Sequence, residues 1–323
     1  MNIINTLKAV KKTIIEKIKY FKKNYIKNKG YIPDRIYIPK YYKEHYGKVL
    51  NINHPKTIAE KNQWIKLYYR DPLFTLLSDK YRNRFYIEKV TGKDYSVPVL
   101  GVWKKFEDID FSALPKSFVL KTNHDNHPIF VLDKDSADFE AIKRQIYEKL
   151  RISKYYKTRE WGYKNIKRCV FAEEFLGDGI HELLDYKFFC FNGEVKYLYV
   201  FSDCTDGKHG KMTFFDRDFN RMPMELYKCH STNKIIPKPD NFEEMISLAE
   251  ELAKDIPFVR VDMFNIERII YVGEFTFYPS NGFLSYKPEE YDEIIGSYLT
   301  LPEKNGWKKL KNRDKQWLKK SLM

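Results

Sequence analysis

The run Phe258-Val259-Arg260-Val261-Asp262-Met263-Phe264-Asn265, followed after Glu267-Arg268 by Ile269-Ile270-Tyr271-Val272-Gly273-Glu274-Phe275-Thr276-Phe277-Tyr278-Pro279, constrains the fold more than any other stretch of this chain. Two β-rich runs around so short a break read as an antiparallel hairpin. A hairpin lets Asp262 and Glu274 come side by side and point the same way. Solvated strand charges are the commoner reading of an Asp/Glu pair. Here the flanks are strongly apolar, and a carboxylate turned inward among them is costly unless it is paired or metal-bound. Paired strand carboxylates suit a hard cation such as Mg²⁺, which takes oxygen ligands and keeps its remaining positions for phosphate oxygens. Arg260, two residues before Asp262, faces the same side and is placed to hold a phosphate.

A chain of 323 residues with 43% hydrophobic content can bury a sizeable core, as two compact domains or as one large α/β domain with an inserted lid. The position of the charge is more informative than its total of +14. Residues 1–30 carry nine Lys and one Glu, and residues 303–323 carry seven Lys, one Arg, one Glu and one Asp, so the tails hold the whole excess and the centre is balanced. That pattern argues against a nucleic-acid binder. In the N-terminal tail, Ile3, Leu7, Val10, Ile14, Ile18, Phe21 and Tyr25 recur every three or four residues among lysines, which predicts an amphipathic cationic helix. Such a helix can lie on an anionic membrane surface or pack its apolar stripe on the protein's own core. No long apolar run and no secretory cleavage pattern is visible, which gives a cytoplasmic expectation with residues 1–30 as a peripheral contact to the inner membrane face. Cys169, Cys190, Cys204 and Cys229 are widely spaced and read as reduced thiols, with neither zinc nor disulfides expected.

Coarse organisation follows from caps and periodicity. Thr57 caps a helix through Tyr68, a second helix runs from Pro72 or Leu73 to about Val90, and Thr91-Gly92 stops it. Strands are expected at 97–100, 118–121, 129–132, 169–172, 186–191, 195–201 and 212–215, with helices at 136–151 and 241–254. The fold class is therefore α+β with largely antiparallel sheets, and a small unit at about 117–172 serves as a lid.

The order of these pieces resembles the TupA-like ATP-grasp family, in which two α+β subdomains clasp ATP. The likeness covers about residues 50–302. It rests on Lys61-Asn62-Gln63-Trp64-Ile65-Lys66-Leu67, Ser78-Asp79-Lys80-Tyr81, Val97-Pro98-Val99-Leu100-Gly101-Val102-Trp103, Phe118-Val119-Leu120-Lys121-Thr122-Asn123-His124, Arg159-Glu160-Trp161, Ala172-Glu173-Glu174-Phe175-Leu176, Asp185-Tyr186-Lys187-Phe188 and the hairpin itself. It divides the chain into a basic amphipathic N-terminal arm (1–48), an ATP-grasp-like domain (49–302) and a basic C-terminal helix (303–323).

The resemblance implies ATP and Mg²⁺ as cofactors and gives each residue a role. Lys80 and Lys121 reach ATP phosphates, and Lys187 belongs to the same cofactor site. Glu173, Glu174 and Leu176 form the hinge that reads adenine, and Asp185 stands at the acidic ribose position. Asp262 and Glu274 hold the metal. Thr276 replaces the asparagine of the usual Glu-x-Asn pattern and offers a hydroxyl as a weaker ligand. Arg260 and Lys121 offset charge in catalysis. The loop after Lys121 contains no glycine where relatives often have several. Arg159, Trp161, Lys164, Asn281 and Gly282 are the expected lining of an acceptor pocket.

The implied activity is an ATP-dependent ligase that joins a carboxylate and an amine through an acyl phosphate, on a cell-surface polysaccharide or its precursor. Its partners would be ATP, a glycan or glycolipid precursor, and an amine or amino acid. Two alternatives stay open. One is a glycosyltransferase of capsular or O-antigen biosynthesis using Asp216-Arg217-Asp218, which otherwise reads as hairpin turn chemistry. The other is an inactive ATP-grasp-like scaffold.

Overall fold

The computed structural model describes residues 32–125, 128–177, 183–203, 210–227, 229–309 and 315–322, so the helix expected within residues 1–30 lies outside the described part. Helix α1 (Asp34–Tyr46) packs Ile38 and Tyr42 against Leu50, Ala59 and Phe283, which makes this part of the expected N-terminal arm a wall of the folded body. Helix α2 (Ile58–Tyr68) starts where the sequence places it: the Thr57 hydroxyl accepts from Glu60 N, and the Glu60 carboxylate accepts from Thr57 N, each at 3.2 Å.

The single helix expected over 72–90 is two, α3 (Leu73–Ser78) and α4 (Asn83–Thr91). The break has a local cause. Asp79 Oδ1 accepts from the backbone N–H of Tyr81 and Arg82 at 3.1 and 3.0 Å, an alternative to the helical ladder, and Lys80 N donates to Asn123 O at 2.9 Å. Lys80 therefore stands in a turn and does not begin a helix.

Strands β1 (Val99–Trp103), β2 (Phe118–Thr122), β3 (Ile129–Val131) and β4 (Val170–Glu174) form an antiparallel sheet in the order β1-β4-β2-β3. The first strand starts after Pro98, which has no N–H to give to a ladder. This sheet takes in residues on both sides of 117–172. Helix α5 (Phe139–Arg151) covers one face, where Phe118, Leu120, Val131, Ile142, Ile146, Val170 and Ala172 make a core of their own. The short helix α6 (Lys154–Thr158) follows.

The larger sheet contains β5 (Asp185–Phe191), β6 (Glu194–Ser202), β7 (Lys211–Asp216), β9 (Phe258–Ile266) and β10 (Ile269–Thr276), in the order β10-β9-β5-β6-β7. A two-stranded ribbon joins β8 (Glu225–Leu226) to β11 (Tyr286–Lys287). All pairings between these strands are antiparallel, as expected. Helix α7 (Phe242–Ala253) packs its buried Met245, Ile246, Ala249 and Leu252 into the main core with Phe188, Val259 and Val261. Helices α8 (Glu290–Tyr298) and α9 (Lys315–Ser321) complete the body; Leu318 of α9 is buried in the main core.

The β9–β10 turn has Glu267 and Arg268 at φ 49° and 68°, the left-handed pair that matches a two-residue hairpin connection to the twist of its strands. Val272 lies opposite Met263 but Glu274 lies opposite Asp262, so Gly273 is an extra residue in β10, a β-bulge.

Candidate functional site

On the face of the large sheet turned away from α7, register builds a row. Tyr199 on β6 lies opposite Lys187 on β5, Lys187 opposite Asp262 on β9, and Asp262 opposite Glu274 on β10. One row along, Arg260 lies opposite Thr276. The structure thus brings together Arg260, Asp262, Glu274, Thr276, Asp185 and Lys187, and Lys80 reaches in from its turn to pair with Glu274.

The contacts are dense. Arg260 grips Asp262 as a two-pronged fork, Nε to Oδ1 and Nη2 to Oδ2, both at 2.6 Å, the geometry that makes guanidinium–carboxylate pairs strong and directional. The guanidinium also donates to Tyr199 Oη and to Thr276 Oγ1, each at 3.2 Å, and lies 3.7 Å from Glu274 Oε1. Lys187 Nζ donates to Asp185 Oδ2 at 2.5 Å and to Asp262 Oδ2 at 2.8 Å. Three carboxylates thus face three cations, Lys80, Lys187 and Arg260, and the cluster is neutral as a whole.

Burial and pairing compete at each group. Burial alone would push the Glu274 carboxyl up, but Lys80, Lys187 and Arg260 together hold it well below the ordinary range. Burial likewise works against the Lys187 ammonium and is outweighed by Asp185 and Asp262, so its pKa is raised. Asp185 goes the other way: burial raises it, and Lys187 offsets only part of the effect.

A second cation–carboxylate pair lies on the small sheet. Lys121 on β2 pairs with Glu173 on β4, whose side chain is 7% exposed and lies 3.9 Å from Arg84 Nη2. Glu174 is exposed at the end of β4, its N–H donating to Pro98 O at 3.0 Å, and Leu176 is half-buried just beyond. The loop after Lys121 begins on a fixed post: Asn123 is fully buried and ties the small sheet to Asp79, and His124 Nε2 lies 3.1 Å from Lys149 O.

The expected acceptor lining is mostly spent on packing. Arg159 is 1% exposed; its Nε lies 3.0 Å from Asp34 Oδ1 and its guanidinium stacks over Tyr37 at 4.1 Å. Trp161 and Lys164 stack with Tyr155 and with each other. Asn281 O and Thr158 O accept from Lys66 Nζ at 2.6 and 3.0 Å, and Gly282 O accepts from Gln63 at 2.8 Å. Lys61, Gln63 and Lys66 of the Lys61–Leu67 motif therefore clamp backbone carbonyls. Sequence reasoning missed Tyr199, whose only signal was its place in an apolar strand. It also missed Tyr163, a half-buried residue whose phenol is raised by desolvation and by the charges of Glu160 and Glu274.

Two carboxylates and a hydroxyl are hard oxygen donors, and they fit a magnesium ion that keeps its other positions for phosphate and water. Among the described residues no three His, Cys, Asp or Glu side chains are gathered as a ready metal cluster, and the oxygens of Asp262 are held by Lys187 and Arg260.

No curated protein matches this sequence. Among solved structures the chain is similar to the D-alanine–D-alanine ligase from Bacillus anthracis complexed with ATP, at 18% identity over 62% of this chain and 55% of that one, TM-score 0.39. It is also similar to a RimK domain protein ATP-grasp from Sphaerobacter thermophilus DSM 20745, at 15% over 69% and 67%, TM-score 0.38. A third is the L-amino acid ligase from Bacillus licheniformis, at 12% over 69% and 46%, TM-score 0.37. The chain spans little more than half the length of the first of these. The row of charges on β5, β9 and β10, Lys80, and the Lys121–Glu173 pair all fall within residues 60–300, the span matched by the TupA-like ATPgrasp family model, and the chain belongs to that family.

Proposed function

We propose that the protein is an ATP-dependent ligase that joins a carboxylate to an amine through an acyl phosphate, acting on a cell-surface polysaccharide or its precursor. The observation that carries this reading is the pairing of Asp262 with Glu274 across the hairpin, ringed by Arg260, Lys187 and Lys80. A magnesium ion held by Asp262 and Glu274, with Thr276 as a weaker donor, would draw charge from the phosphoryl group being transferred.

The chain's own residues do the rest by placement and charge. Arg260, Lys80 and Lys187 exchange part of their hold on the carboxylates for phosphate oxygens. Lys121 does the same on the small sheet, and its departure frees Glu173 to accept from the adenine amino group beside Glu174 and Leu176. The acceptor carboxylate oxygen attacks the terminal phosphorus, the bond to the ADP oxygen breaks, and the amine then displaces inorganic phosphate from the carbonyl. The partners are a glycan or glycolipid precursor and an amine or amino acid. The +8 charge of residues 1–30 supports a cytoplasmic enzyme resting on the inner membrane face.

The contacts of Asp216-Arg217-Asp218 support its hairpin-turn reading over the glycosyltransferase one. Asp216 accepts from Asp218 N at 3.0 Å, from Asn220 N at 2.8 Å and from Asn220 Nδ2 at 3.1 Å, and Arg217 pairs with Glu250, so Asp216-Arg217-Asp218 is the turn that ends β7. The test is a screen of ADP release against uronic acids and amines, run beside a UDP-sugar release screen. ADP and phosphate release that needs both an acid and an amine is expected. UDP release without ADP release would overturn the proposal.

A further inference from the structure

The resemblance gives Asp185 to the ribose, but its place in the sheet points elsewhere. On β5, Asp185 lies opposite Phe264 and Lys187 lies opposite Asp262, which makes Asp185 the diagonal neighbour of Asp262 on the same face. The two carboxylates share one counter-ion: Lys187 Nζ is 2.5 Å from Asp185 Oδ2 and 2.8 Å from Asp262 Oδ2. A single positive atom bridging two carboxylates occupies the kind of position that a divalent cation takes. Asp185 Oδ1, moreover, is buried and has no hydrogen-bond partner, so one of its oxygens is spare.

The hairpin side of the site is short of a donor. Thr276 offers only a hydroxyl, and that hydroxyl already accepts from Arg260 Nη2. We propose that Asp185 belongs to the metal side of the site and supplies an oxygen donor to the divalent cation, directly or through a metal-bound water, beside Asp262 and Glu274. The inference rests on the reading that Mg²⁺·ATP binds over this row. It replaces the ribose role with a metal-facing one.

The test is titration calorimetry on the full chain with three ligands: ATP with Mg²⁺, ATP in excess chelator, and 2′,3′-dideoxy-ATP with Mg²⁺. For Asp185→Asn, affinity for ATP with Mg²⁺ should fall about tenfold or more, the usual scale for losing a group that supports a metal. Its metal-free ATP affinity should stay within a few-fold of wild type, and dideoxy-ATP should lose the same factor as ATP. Asp185→Glu keeps the charge and should retain most of the magnesium effect, which guards against a neutral variant that fails to fold. An equal loss with and without metal overturns the proposal. So does a wild-type preference for ATP over its dideoxy analogue that vanishes in Asp185→Asn, because both mark a sugar contact. If wild-type ATP binding shows no magnesium dependence at all, the metal reading of the whole row fails and this inference fails with it.

Discussion

The side-chain amide of Asn123 donates to Asp79 Oδ2 at 2.8 Å, joining residues 44 positions apart. The same amide donates to Lys167 O at 2.9 Å, and Asn123 Oδ1 accepts from Cys169 N at 3.0 Å. One side chain thus fastens the end of β2, the approach to β4 and the turn that carries Lys80.

Asn123→Ala should therefore destabilise the protein and also loosen Lys80. Removing a fully buried partner strands the groups it served, at about 1–3 kcal/mol for each polar group left unpaired. Urea denaturation should show a drop in that range or somewhat above it. An unchanged midpoint with unchanged ATP affinity would show that the tie is ornamental.

Magnesium should bind strongly only together with nucleotide. The cluster of three carboxylates and three cations is already neutral, and a bare divalent ion would have to displace an ammonium or guanidinium group that has nowhere to go. The nucleotide brings more negative charge than the metal cancels, so its phosphates can receive those cations. Calorimetry with Mg²⁺ alone should give no resolvable binding, whereas Mg²⁺ should strengthen ATP binding by at least about tenfold. In Asp262→Asn with Glu274→Gln that enhancement should vanish. A double variant that keeps the wild-type magnesium dependence places the metal elsewhere.

Lys66 is a buried lysine whose charge costs stability near neutral pH. Burial lowers its pKa from 10.5 to about 8, with Glu160 raising it and Lys154 lowering it by smaller amounts. Between those two values the unfolded chain holds a proton that the folded chain has released, so the stability to unfolding rises with pH across that window. The gain is at most about 3.5 kcal/mol, from about 1.4 kcal/mol per pKa unit. Lys66→Met removes this titration, although it leaves Thr158 O and Asn281 O without their donor. The stability difference between wild type and Lys66→Met should move toward wild type from pH 8 to 10.5. A flat difference would sink the buried-cation account.

The N-terminal tail can be tested by deletion. Without residues 1–26 the chain should lose binding to anionic vesicles and keep its ATP affinity, because α1 and every nucleotide-facing residue remain. With the tail present, vesicle binding should weaken with salt, as the Debye length shrinks from about 10 Å at 0.1 M to about 3 Å at 1 M. A truncated protein that unfolds, or that binds vesicles as before, removes the membrane role.

Much of this was legible in the sequence because the signals are local. The capping box at Thr57, the hairpin runs and the alternation in β5 and β6 each depend on residues a few positions apart. What the sequence hid was long-range. Asp79 and Asn123 appear in separate motifs, and nothing local says that they bond to each other or that Asn123 O takes the Lys80 N–H where the 72–90 helix breaks. Arg159 looks like a cleft residue until α1 folds over it. Glu274 was expected beside Asp262, but plain alternation from Ile270 and Val272 would have turned it into the core; the bulge at Gly273 supplies the missing step.

That bulge makes the site sensitive to counting. Faces along a strand alternate with every residue, so if Gly273 itself took the place opposite Asp262 in a regular ladder, Glu274 would turn inward opposite Val261 and Phe275 would come out opposite Arg260, with the hairpin still able to close. Few single substitutions could do as much. A one-residue shift in how this strand pairs therefore separates or restores the acidic pair without any change in overall architecture.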